Sequence, residues 1–164
     1  MEYPIPTHLR DYLIPREEEE NCEFQVTGTL RCSCGCREFS VTESNEGMLA
    51  HLYCKDCGKE IELFDAGKHG WNGFVCHMDP VDRSAQSWKA FCDECKNAYF
   101  YVTVWISSQG KEDFLSECAA HDPSFREEDW VEGFEWIQVS LECSKCGIDM
   151  DNWLDCECMS EVEP

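Results

Sequence analysis

The chain has 164 residues and a mass of 19.0 kDa, and its content of 43% hydrophobic and 12% aromatic residues excludes a largely disordered protein. Thirteen Lys and Arg stand against 34 Asp and Glu, a formal net charge of −21, which argues against nucleic acid and anionic membranes as partners. The start of the chain lacks the pattern of a secretory signal, and no run approaches the roughly 18 apolar residues of a spanning helix, so we expect a cytoplasmic protein.

In chain order, the composition predicts four segments. An acidic N-terminal arm (1–21) precedes a first β module (22–75), and a linker (76–87) follows it. A second, divergent module (88–164) carries a helical insertion at about 111–133. The expected fold is therefore a small, β-rich α+β protein in which one layout of strands and cysteine turns occurs twice.

The predicted strands lead into or out of cysteine turns. Alternation of apolar and polar residues predicts a strand at 24–30, and β-prone runs follow at 48–53 and 61–64. In the second half, 98–106 is the strongest strand pattern, and 136–141 is another. Residues 111–120 have the pattern of a short helix.

The fourteen cysteines are the most informative residues of the sequence. A cytoplasmic protein keeps its thiols reduced, so metal binding is expected in preference to disulfides. Two C-x-x-C-G turns, one C-x-x-C turn and one triple provide nine candidate ligands: Cys32, Cys34, Cys36, Cys54, Cys57, Cys92, Cys95, Cys143 and Cys146.

The spacings predict two zinc ions per chain, each held by four thiolates. Nineteen residues separate Cys34 from Cys54, and 17 separate Cys36 from Cys54, so both spacings fit a four-thiolate zinc module and either thiol can be the ligand. Between Cys95 and Cys143 there are 47 residues, so the second site requires the helical insertion to fold away from it. Sites closed by four sulfurs have no open position for catalysis and are expected to hold the fold together.

These motifs resemble the zinc-ribbon class of β-hairpin metal modules, most closely at 32–64, with 92–106 and 136–153 as a more divergent copy. The acidic, cysteine-rich chain also resembles small bacterial proteins of this kind. The resemblance covers about half of the chain and implies a metal and a local fold.

Several cysteines and histidines fall outside the two predicted zinc sites. A third site is one interpretation of these residues, and burial as small apolar side chains is the simpler one. An alternative function is a thiol-dependent enzyme or redox protein that uses a non-ligand cysteine, for example Cys118 with His121. The candidates for a third site are Cys76, His77, Cys118, His121, Cys156 and Cys158.

The acidic C-terminal quarter predicts the kind of partner. Residues 121–164 contain 13 acids and two bases, interleaved with Trp130, Phe134, Trp136 and Trp153. Carboxylates beside large aromatic side chains can attract and bind a basic surface. We therefore expect a non-enzymatic binding or adaptor protein with a basic protein partner, of which an immunity-type inhibitor of a nuclease or toxin is one version.

Overall fold

The computed structural model describes residues 2–16, 21–69, 80–117 and 126–158. Nine strands dominate this part of the chain, with one short α-helix and three 3-10 helices. The strands are β1 (Leu13–Pro15), β2 (Gln25–Leu30), β3 (Phe39–Ser44), β4 (Leu49–Cys54), β5 (Glu60–Asp65), β6 (Trp88–Lys89), β7 (Phe100–Ser107), β8 (Trp136–Cys143) and β9 (Asp149–Glu157). The helices are α1 (Lys111–Glu117) and the 3-10 segments η1 (Thr7–Leu9), η2 (Asn45–Gly47) and η3 (Glu127–Glu132).

All nine strands form one curled antiparallel sheet. Its main path runs β1-β2-β7-β3-β4-β5, and β6 pairs with β3. Strand β7 is the centre of the sheet because β8 pairs with it along its whole length, while β2 and β3 share its other edge. Strand β9 pairs with β8.

Alternating burial in the central strands defines the core. Buried and half-buried residues alternate along β2, β7 and β8, so one face of these strands is apolar and packed. Gly28 in β2 is required by close packing, because a Cβ at this position would lie 2.5 Å from the carbonyl oxygen of Ile14 in β1. The core contains fully buried phenylalanine and leucine side chains from both halves of the chain, among them Phe39, Phe64, Phe100, Leu30 and Leu52.

The predicted β-rich class is confirmed, whereas the predicted separation into two tandem modules is not. Strands from both predicted modules are neighbours in one sheet, since β2 and β3 both pair with β7. The predicted helical insertion contains α1 and η3, and part of it (118–125) lies outside the described residues. In the described residues, no helix has the length and apolar character needed to cross a bilayer.

Candidate metal centres

The first metal centre joins the loop between β2 and β3 to the turn of the β4–β5 hairpin. The loop contributes Cys32 and Cys34, and the turn contributes Cys54 and Cys57. The Sγ atoms of Cys32 and Cys57 lie 3.5 Å apart, as do those of Cys34 and Cys54. Cys32 and Cys54 are buried, whereas Cys34 and Cys57 are exposed, so the group has one side in the core and one side toward solvent.

The second metal centre has the same construction between the segment before β7 and the β8–β9 turn. Cys92 lies 3.5 Å from Cys146, and Cys95 lies 3.5 Å from Cys143, measured between Sγ atoms. The pairing of β7 with β8 brings Cys143 opposite Phe100, which closes the separation of 47 residues along the chain. The helical insertion follows the far end of β7, away from the cysteine turns.

The four sulfurs of each group have the spacing of a tetrahedral metal site. Ligand atoms of each group all lie within 4.8 Å of one another. A zinc ion with Zn–S bonds of about 2.3 Å separates tetrahedral sulfurs by about 3.8 Å, close to the 3.5 Å contacts. A disulfide needs about 2.05 Å, and every described cysteine is free. Both groups therefore fit an ion bound by four thiolates, consistent with two metal ions per chain.

The backbone around the two centres repeats the same hydrogen bonds. The N–H of Cys54 donates to Lys59 O (3.0 Å), and the N–H of Cys143 donates to Ile148 O (2.9 Å). One residue beyond each cysteine, Lys55 N–H donates to Glu38 O (3.0 Å) and Ser144 N–H to Tyr99 O (3.2 Å). Gly58 and Gly147 end the two turns with φ of 74° and 79°, a conformation that glycine adopts without a steric penalty. The two cysteine turns thus share one pattern of backbone hydrogen bonds.

One buried thiol in each centre is stabilised as a thiolate. Burial raises the pKa of Cys54, but the N–H groups of Cys57 and Asp56 outweigh it and bring the pKa to about 6. Burial likewise raises the pKa of Cys143, and N–H donors outweigh it, so that this pKa falls to about 5. The stronger donors are the backbone N–H of Cys146 and the side-chain amide of Asn97.

One exposed thiol in each centre has a raised pKa. The backbone N–H of Cys36 lowers the pKa of Cys34, but the hydrogen bond with the Cys54 thiol and partial desolvation raise it to about 12. The backbone N–H of Ile148 lowers the pKa of Cys146, but partial desolvation and the neighbouring thiols raise it to about 12. Four adjacent thiolates repel one another, so all four ionise together only when a cation lies between them.

Asn97 supports the second centre from outside the four ligands. Its side-chain nitrogen donates to Cys143 Sγ (3.5 Å), to Tyr99 O (2.7 Å) and to Ser144 Oγ (3.1 Å). Ser144 Oγ in turn donates to Tyr99 O (3.0 Å). Hydrogen bonds of this kind fix the orientation of a ligand. No motif in the sequence indicates this role of Asn97.

Cys36, the third thiol of the first turn, is not one of the four clustered sulfurs. It is 9% exposed, and its Sγ accepts the N–H of Glu38 (3.4 Å). Burial raises the pKa of Cys36, and the hydrogen bond with the Glu38 backbone opposes this effect. Where the sequence allowed either Cys34 or Cys36, the structure thus groups Cys34 with the other three sulfurs and places Cys36 in the same loop, outside the group.

The remaining thiols form no third group in the described part of the chain, where the four-cysteine groups around Cys54 and Cys143 are the two that could hold a metal ion. Cys156 and Cys158 are buried in the core, and burial raises the pKa of Cys156 to about 11. The candidates Cys76, His77, Cys118 and His121 lie outside the described residues.

Comparison with protein-family models, with curated proteins and with solved structures finds no match to this chain. The class of the protein thus rests on its own structure, in which two groups of four cysteines could each hold a metal ion.

Proposed function

We propose that this protein is a non-enzymatic, zinc-binding adaptor in which two zinc ions hold the sheet together and an acidic face binds a basic protein. Two observations carry the proposal. Both four-cysteine groups lie at hairpin turns of one sheet. Strands β7, β8 and β9 of that sheet also carry carboxylates and aromatic side chains on the side opposite the core.

Zinc is favoured as the metal because it prefers four-coordinate, thiolate-rich sites. Four thiolates leave no open position for a substrate or an activated water, so the chemistry that zinc supplies is cross-linking of distant turns. The repeated hydrogen bonds at Cys54 and Cys143 support two zinc-ribbon-like units: a cysteine turn, two antiparallel strands and a second cysteine turn in each. In this proposal the two units are fused through β3 and β7.

The acidic face lies on the side of β7, β8 and β9 opposite the core. Three rows cross these strands, and each row places an exposed carboxylate on β9. The rows are Tyr101–Glu142–Asp149, Trp105–Gln138–Asp155 and Ser107–Trp136–Glu157. We call these nine residues the outer face.

Side chains on the outer face are held in place by hydrogen bonds. Trp136 Nε1 donates to Asp155 Oδ1, and Gln138 Nε2 donates to the same oxygen (3.2 Å). Trp136 and Trp105 are half-buried, and Tyr101 is 41% exposed. Trp130 and Phe134 are buried and are not part of this face.

A basic partner suits this face for two reasons. The carboxylates of the outer face belong to a chain whose formal net charge is −21. The face therefore attracts cations over a distance of about one Debye length. An Arg side chain can pair with a carboxylate and stack on an indole ring at the same time. The phosphate-binding cleft of a nuclease presents such cations, so an immunity-type inhibitor of a nuclease is the specific version of this proposal.

The test compares two double variants that remove the same charge. Asp149→Asn with Glu157→Gln changes the outer face, and Glu112→Gln with Asp113→Asn changes exposed positions on α1. The bait is the metal-loaded protein, applied to lysate at low salt. We expect a cationic protein to bind the wild type and the α1 variant, to be released as salt increases, and to bind the outer-face variant weakly. Equal binding by both variants, or no salt-sensitive partner, would contradict the proposal.

A further inference from the structure

The first metal centre has five thiols for four ligand positions. Cys36 lies in the same short loop as Cys32 and Cys34, and the loop is closed by Cys32 N–H donating to Cys36 O (2.8 Å). Its Sγ accepts the N–H of Glu38 (3.4 Å) and is not one of the four clustered sulfurs. Cys36 therefore belongs to the same closed loop as two of the clustered sulfurs without being part of their group.

In the second centre, Asn97 occupies the position that is equivalent to Cys36 in the first. Cys36 is three residues before Phe39, and Asn97 is three residues before Phe100. Cys92 N–H donates to Asn97 O (2.8 Å), as Cys32 N–H donates to Cys36 O. Asn97 supports a ligand but offers no sulfur, so the second centre has no spare thiol at this position.

Ligand spacing supports Cys36 as a ligand independently of this comparison. In zinc sites, two to four residues commonly separate the two cysteines of one turn. Two residues separate Cys54 from Cys57, and three separate Cys32 from Cys36, whereas one separates Cys32 from Cys34. The first loop is also one residue shorter than its counterpart, in which four residues separate Cys92 from Asn97.

We propose that Cys36 is a replacement ligand, which takes the place of Cys34 at the first metal centre when Cys34 is lost or modified. The proposal rests on metal binding by the proposed function. When an alkyl halide modifies Cys34, a sulfur–carbon bond would form, halide would leave and the Cys34–metal bond would break, while Cys36 would release a proton to water and bond to the metal. The metal keeps four sulfur ligands, and no electron is transferred.

Exposure determines which of the two thiols reacts first. Cys34 is exposed, and Cys36 is 9% exposed. An electrophile from solvent therefore reaches Cys34, and the buried Cys36 remains intact to replace it. The first centre is expected to keep its ion after such a modification, and the second centre is expected to lose its ion when an equivalent ligand is blocked.

The test uses matched serine variants of the full chain, purified with metal. Cys34→Ser and Cys95→Ser remove equivalent ligands, each two residues before Cys36 or Asn97. The measurements are metal ions per chain and the thiolate-to-cobalt absorption after Co²⁺ replaces the native ion, which reports the number of sulfur ligands. The third variant, Cys34→Ser with Cys36→Ser, removes both alternatives.

We expect Cys34→Ser to keep about two ions per chain with all-sulfur coordination, and Cys95→Ser and the double variant to keep about one. Loss of one ion from Cys34→Ser, or cobalt absorption with three sulfurs at the first centre, would overturn the proposal. If the wild type itself binds no metal, the proposed function fails as well. If the wild type binds two ions and Cys34→Ser behaves as Cys95→Ser, the replacement ligand alone is wrong.

A measurement on the wild type keeps the test decisive if a variant does not fold. Limited treatment with iodoacetamide converts an exposed thiolate to a thioether and releases iodide. Native mass spectrometry then counts the ions in chains modified once, and peptide mapping locates the modification. Chains modified at Cys34 should retain both ions, and chains modified at Cys34 that retain only one would overturn the proposal.

Discussion

Phe39 of β3 lies opposite Phe100 of β7, and each of these residues also lies opposite a metal-ligand cysteine on its other neighbouring strand. The partner of Phe39 in β4 is Cys54, and that of Phe100 in β8 is Cys143. Both phenylalanines are fully buried. The two candidate metal centres are therefore connected through one pair of aromatic residues in the middle of the sheet.

Truncation of this pair is expected to destabilise the whole sheet. Phe100→Ala should lower the free energy of unfolding by about 3–5 kcal/mol, because it removes a fully buried ring and leaves a cavity. Urea unfolding at a buffered zinc concentration measures the effect. Trp88→Ala is the control, since Trp88 is 61% exposed and its loss should cost less than about 1 kcal/mol. Equal costs for the two variants would contradict this account of the core.

Loss of the Asn97 side chain is expected to weaken one centre and spare the other. Asn97→Ala removes the N–H donor to Cys143 Sγ, and loss of such a supporting contact commonly weakens metal binding by about 10- to 100-fold. Competition with a chromophoric chelator measures the affinity, and the protection of cysteines from alkylation identifies the centre that releases its ion. The first centre is the internal control, and an equal loss of affinity at both centres would contradict the role of Asn97.

Two stacked histidines predict how stability depends on pH. The rings of His8 and His69 are 3.8 Å apart, measured between centroids, with an angle of 11° between their planes. Burial lowers the pKa of His8, and burial with the neighbouring His8 lowers that of His69 to about 3. Glu62, Asp65, Lys68 and Glu132 are the charged groups that act on the pair.

Because both pKa values are lower in the folded protein, the unfolded chain binds more protons below pH about 6.5, and stability falls as the pH decreases through that value. For His69 the expected loss between pH 7.5 and 6 is about 0.8 kcal/mol. NMR detection of the histidine ring protons, with the metal content measured at each pH, provides the direct test. The His69 signals should not titrate above pH 5, and a titration midpoint near 6.5 would contradict the burial of a neutral pair.

The strands that the sequence predicted are those in which apolar residues dominate one face. Patterns at 98–106 and 136–141 correspond to β7 and β8, whose inward residues are mostly valine, isoleucine and leucine. Strand β9 was not predicted, because acids occupy four of its nine positions. Strand β9 is stabilised by its pairing with β8 and by the burial of Leu154 and Cys156. Both interactions join segments distant in the sequence, so the local strand propensity of residues 149–157 does not predict them.

The cysteine pairs that meet in the two groups were easier to predict than the residues around them. Paired cysteines in short turns have few alternatives, so Cys54, Cys57, Cys143 and Cys146 followed from spacing alone. The arrangement of Cys34 and Cys36 depends on the backbone of a five-residue loop, and both spacings fit a zinc module. The contact of Asn97 depends on the pairing of β7 with β8, so no local motif indicates it.

The central claim is that two ions cross-link the turns and thereby hold the sheet together. The most direct measurement is elemental analysis of gently purified protein, followed by circular dichroism during titration with a strong chelator. We predict about two zinc ions per chain and loss of the sheet signal as both are removed. Protein that contains no transition metal and keeps its fold in excess chelator would contradict the claim.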